Sequence, residues 1–70
     1  MLGKNEYYVV YVKGEFLVAL PYVGSARFSN SAYDGYPFDD FIVAQRYAKF
    51  FGGQVMIHNR LNGNLAGGWA

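Results

Sequence analysis

Tyr7-Tyr8-Val9-Val10-Tyr11-Val12 and Glu15-Phe16-Leu17-Val18-Ala19-Leu20 are two strand-forming runs separated only by Lys13-Gly14. Aromatic and β-branched side chains favour extended backbone. A two-residue connection closes a tight hairpin, and Gly14 can take the positive φ that such turns demand. That loop length sets the register: Val12 opposite Glu15, Val10 opposite Leu17 and Tyr8 opposite Ala19 on one face. Tyr11 with Phe16, Val9 with Val18 and Tyr7 with Leu20 then occupy the other. Both faces are apolar, whereas an antiparallel sheet with one wet face normally carries a polar side. Any fold of this chain must therefore cover the hairpin twice. Pro21, which cannot donate to a ladder, is expected to end the second strand.

Beyond the hairpin, residues 23–28 read as a third short strand. Ser29-Asn30-Ser31 and Asp34-Gly35 carry loop chemistry, with Tyr33 and Tyr36 set among them. Pro37 fits the first helical position, and Asp39-Asp40 suit the positive end of a helix dipole. Phe41, Ala44, Ala48 and Phe51 form one helical stripe, and Gly52-Gly53 stops it. In Gln54–His58, Val55 and Ile57 alternate with Gln54, Met56 and His58, as in a strand. Asn59–Ala70 has no periodicity. Asn62-Gly63 can turn a hairpin, but Ala66-Gly67-Gly68 offers a return strand little to pack, so the segment reads as a mobile tail carrying Trp69. The expected fold is α+β: one domain over residues 1–58, a small antiparallel sheet in the order β-β-(β)-α-β with one helix on one face, and an Asn/Gly-rich tail over 59–70.

One helix covers one face of a sheet. That leaves Tyr7, Val9, Tyr11, Phe16 and Val18 open. A chain of 70 residues without cysteine cannot be stapled by disulfides, and at this size one core rarely supplies more than about 3–5 kcal/mol. Self-association through those five residues, as a homodimer or higher oligomer, is the expected remedy. The helix carries apolar residues off its main stripe as well, since Ile42, Val43 and Phe50 fall beside Arg46 and Asp39. Apolar patches of this kind on small proteins mark interaction sites.

Six basic residues against five acidic ones give a net charge of +1. Such a balance suits neither a strongly basic nucleic-acid binder nor an acidic mimic of DNA. A sheet bearing Tyr7, Tyr11 and Phe16 can stack unpaired bases, but Arg27, Arg46, Lys49 and Arg60 are scattered along the chain, and nucleic acid is not the expected partner. No apolar run approaches the ~18 residues of a membrane span, and Lys4 and Glu6 precede only six apolar residues, too few for a secretory signal. The expected compartment is the cytoplasm. His58 is the only histidine. Grouping it with Ser29 and Asp34 lacks the glycines of a nucleophile elbow, and Asp39 and Asp40 are explained by the helix start. Gly52-Gly53 closes a helix rather than opening one, so no phosphate loop is present. The chain is expected to be non-enzymatic, with no metal and no cofactor.

Tyr8-Val9-Val10, Lys13-Gly14-Glu15-Phe16, the helix with Ala44 and Ala48, and Phe51-Gly52-Gly53-Gln54-Val55-Met56 together resemble small proteins of temperate phages of Gram-positive bacteria. The resemblance spans residues 7–59. It implies an accessory protein of the host cytoplasm that binds and inhibits or modulates a host protein, including defence machinery such as CRISPR-Cas. Contacts are then expected from the loop bearing Tyr22, Arg27, Tyr33 and Tyr36 and from helix residues Arg46 and Phe50. A small single-stranded nucleic-acid binder and a self-assembling structural protein are the alternatives.

Overall fold

A computed structural model describes the backbone of residues 2–22 and 25–69, and the side chains of that range outside residues 19–25. Five strands, β1 (Glu6–Val12), β2 (Glu15–Tyr22), β3 (Ser25–Ser29), β4 (Gln54–Asn59) and β5 (Leu65–Trp69), form one antiparallel sheet in the order β3-β2-β1-β4-β5. One helix, α1 (Phe41–Phe51), lies on one face. The α+β expectation holds. Of the third strand expected over 23–28, β3 takes up Ser25 onward, while Val23 and Gly24 lie outside the described residues.

The hairpin turns as expected and then splits. Lys13 (φ 49°) and Gly14 (φ 86°) both take left-handed backbone, the pattern of a type I′ turn. Tyr11 pairs with Phe16 and Val12 with Glu15. Past these two pairs the expected register is not realised, because the chain itself enters the gap. Tyr8 and Phe38 exchange backbone hydrogen bonds of 2.9 and 3.0 Å, and the Tyr36 N–H donates to the Leu17 carbonyl at 2.8 Å. Buried Gly35 stands against the Val9 side chain on one face, while Phe38 belongs to the core on the other. The segment 35–38 thus threads from one side of the sheet to the other. Pro37 is correspondingly not the first helical residue. It holds Tyr36 extended, and Asp40 caps α1 instead, its Oδ1 accepting from the Ile42 N–H at 2.9 Å. Strand β2 also runs on through Pro21 to Tyr22. With β1 split away from this end of β2, the missing N–H of Pro21 is tolerated as on an edge.

Two cores result. On the helix side Val10, Leu17, Phe38, Ala44, Ala48 and Val55 are buried, the two alanines letting α1 approach closely. Gly52 (φ 74°) ends the helix, and the Gly53 N–H donates to the Ala48 carbonyl at 2.7 Å. On the reverse face Tyr7, Val9 and Phe16 are buried among Tyr11, Ala32 and Met56. Ala32 belongs to a 3-10 turn, Ala32–Asp34. This corrects the self-association reading. Tyr7, Val9 and Phe16 are 7%, 0% and 4% exposed because the loop after β3 folds over them, and Tyr11 and Val18 are half-buried. The second cover expected from another copy is supplied by the chain's own loop.

Residues 59–69 are not a mobile tail either. Strand β5 pairs with β4 from His58↔Leu65 to Val55↔Trp69, so the sheet extends past the boundary expected at residue 58. Trp69 sets its ring against Phe41, centroids 5.8 Å apart. Among the described residues, no helix is long and apolar enough to cross a membrane.

Candidate functional site

The outer side of α1 leaves three large apolar groups in solvent, as do the β4–β5 turn and β5 with Leu61, Leu65 and Trp69. Ala44 and Ala48 anchor the inner side, and 3.6-residue periodicity then turns Ile42, Val43, Arg46, Lys49 and Phe50 outward. Ile42, Val43 and Phe50 are 54%, 41% and 78% exposed. Val43, Arg46, Tyr47 and Phe50 line one groove. Val43 and Tyr47 also line the next, with Tyr36, Pro37, Phe38, Asp39 and Asp40. An aromatic series links the two, Tyr36 to Phe38 (4.8 Å) and Phe38 to Tyr47 (5.5 Å).

The structure therefore gathers Tyr36, Arg46 and Phe50 on one surface. It does not bring Tyr33 there. Tyr33 lies on the reverse face, its ring 4.5 Å from that of His58, because the crossing at 35–38 separates the two tyrosines. Arg27 is exposed on edge strand β3, and the Tyr22 side chain lies outside the described residues. Tyr47 is the member that sequence reasoning missed. Its spacing from Val43 and Phe50 was the available signal.

The reverse face holds one polar cluster. Register Tyr7↔His58 places the Tyr7 hydroxyl 2.6 Å from His58 Nδ1 and 3.4 Å from the Ala32 carbonyl oxygen. His58 is 1% exposed and its Nε2 has no hydrogen-bond partner among the described residues. The Arg60 guanidinium lies over the Tyr7 ring, 4.7 Å from its centroid. Burial, and then the charge of Arg60, hold the His58 pKa below its ordinary 6.5. The unfolded chain takes up a proton near 6.5, whereas the folded chain does so only at lower pH. Stability is therefore full above about pH 6.5 and declines as pH falls toward the folded pKa. As no other histidine is present, denaturation midpoints measured from pH 7.5 down to 5 are expected to fall in the parent, and to fall less steeply in His58→Phe. Equal slopes would remove His58 as the cause.

No family model, curated protein or solved structure matches the chain. The site must be judged on its own geometry. Among the described residues, no three His, Asp or Glu side chains gather as a metal site. Asp39 and Asp40 are exposed and Asp40 is occupied in capping. The arrangement suited to recognition is the outer side of α1: an aromatic knob, Phe50, next to a guanidinium, Arg46. Aromatic residues and arginine are the types enriched at the cores of protein interfaces.

Proposed function

We propose that this chain is a non-enzymatic accessory protein of phage type that docks on a host protein through the outer side of α1 and inhibits or modulates it. The resemblance favours an anti-defence role in the host bacterial cytoplasm. The observation that carries the reading is Phe50, 78% exposed on a helix whose opposite side is fully anchored. Burying such a ring is worth about 1.5–3 kcal/mol, a gain the isolated chain leaves unused. The partner surface that fits is an apolar groove for Phe50 and Val43 with acidic groups near Arg46 and Lys49. A single-stranded nucleic-acid reading finds less support, since Tyr7 and Phe16 are buried and bases cannot stack on them.

The test is capture from nuclease-treated bacterial lysate, followed by reconstitution with the purified captured protein and an assay of that protein's own activity. The parent chain is expected to bind at fixed stoichiometry and lower that activity. Phe50→Ala with Arg46→Glu is expected to weaken binding at least about tenfold, while Tyr33→Ala, on the reverse face, changes it little. Equal binding by parent and helix variant would sink the reading.

A further inference from the structure

Asp39, Val43, Arg46 and Phe50 are spaced four, three and four residues apart, a sequence of intervals that is the same from either end. Helical periodicity places Val43, Arg46 and Phe50 on one stripe of α1, and Asp39, outside the helix and next to the Asp40 cap, stands at its amino end. In a second copy running antiparallel, Phe50 therefore meets the Asp39 end of the first, and Val43 meets Arg46. The two ends of the stripe differ in the way such a pairing needs. At the amino end lies a recess of about 270 Å³ lined by Tyr36, Pro37, Phe38, Asp39, Asp40, Val43 and Tyr47. At the carboxyl end Phe50 protrudes, the most exposed aromatic ring described. Charge is divided likewise: Asp39 and Asp40 at the amino end, Arg46 and Lys49 toward the carboxyl end, all exposed.

We propose that the outer side of α1 pairs with a second copy of this chain in an antiparallel, two-fold helix–helix contact. Phe50 of each copy enters the Tyr36–Tyr47 recess of the other, and Arg46 and Lys49 lie against the opposite acidic pair. A two-fold interface is self-complementary by construction, each patch meeting its own image. This inference rests on the outer side of α1 being the docking surface. It adds a consequence for that surface: free protein masks it in a dimer, and a host partner must compete with the second copy. The dimer uses a different face from the one the sequence suggested, since that face is closed by the chain's own loop.

Sedimentation velocity over a concentration series, with no host protein present, reads the contact directly. The parent is expected to pass from the 7.9 kDa of one chain to twice that mass as concentration rises. Two charge variants decide the geometry. In Asp39→Lys with Asp40→Asn the amino end loses its acidic charge while Asn keeps the cap. In Arg46→Glu with Lys49→Glu the carboxyl end becomes acidic. Each alone is expected to stay monomeric, because like charges then face each other at both ends of the pairing. A mixture of the two is expected to recover the doubled mass, because unlike charges meet again at both ends. Circular dichroism confirms that each is folded, and Phe50→Ala, an exposed change, is expected to weaken the dimer at least about tenfold. A parent that stays at single-chain mass at about 1 mM, or variants whose mixture stays monomeric, would overturn the proposal. Because no host protein enters this measurement, loss of host binding in the preceding test leaves its result untouched.

Discussion

Phe38→Ala is expected to leave the chain unfolded at room temperature. Phe38 is 4% exposed, in ring contact with Tyr36 and Tyr47, and its backbone is the rung that ties the crossing segment to Tyr8. Truncating a buried phenylalanine costs about 3–5 kcal/mol, through lost transfer energy and the cavity left behind. A single core at this chain length supplies about the same amount. Loss of the anchor also frees the segment between β1 and β2, so the loop covering Tyr7, Val9 and Phe16 loses its tether. Both cores fail together. Urea titration followed by circular dichroism reads this. A cooperative transition within about 1 kcal/mol of the parent would show that the crossing segment is not what joins the cores. Phe50→Ala makes the comparison, since an exposed change of this kind is expected to stay within about 0.5 kcal/mol.

The second large effect is expected at Gly53, and its neighbour supplies the contrast. A Cβ on Gly53 would run into the Tyr11 carbonyl oxygen and stand 2.6 Å from Val12 Cγ2. Backbone cannot yield as a side-chain tip can, so α1 and β1 must move apart or the turn into β4 must distort. Gly53→Ala is expected to destabilise by the upper end of the ~1–3 kcal/mol typical of overpacking, or more. Gly52 is the residue with left-handed backbone (φ 74°), and a Cβ there meets nothing within 4 Å. Gly52→Ala therefore carries only the left-handed penalty of about 1–2 kcal/mol. The order of the two midpoints in urea checks the argument. If Gly52→Ala proved the more damaging, backbone conformation rather than close approach would govern this corner.

Local signals were legible where the physics is local. Lys13-Gly14 announced its turn, and Ala44 with Ala48 announced the buried side of α1. The apolar character of both hairpin faces was legible too, but it pointed to one core and an interface with another copy rather than to two cores. What covered the second core was not legible, because Ser31, Ala32 and Gly35 carry no apolar periodicity. Their role comes from being drawn into place by Phe38, six residues beyond Ala32. Strand β5 was missed for a related reason. Its hairpin is held less by packing than by asparagine: Asn59 Oδ1 accepts from the N–H groups of Leu61 and Asn62 at 2.9 and 3.2 Å. The Asn59 N–H donates to the Asn64 carbonyl at 2.9 Å. Asn62-Gly63 did signal the turn, but Ala66-Gly67-Gly68 gave no apolar pattern from which to expect the return strand. Of the candidate site, Arg46, Phe50 and Tyr36 were named from sequence, while Tyr33 was grouped with them only because the crossing between the two tyrosines had no signature in the residues themselves.

That crossing also governs when the molecule can come together on the ribosome. Strand β1 is the first of the five strands to leave the exit tunnel, yet its neighbours are β4 on one side and, on the other, β2 beside the turn and the segment bearing Phe38 at Tyr8. The edge of β1 that meets β4 thus stays unpaired after the turn to β2 has closed, with Tyr8 unable to find Ile57 until some fifty further residues have emerged. Distant pairings of this kind slow folding and lengthen the interval in which apolar strand edges are open to other chains. A nascent copy exposes Tyr7–Val12 to its neighbours on the same messenger for as long as translation takes to deliver β4.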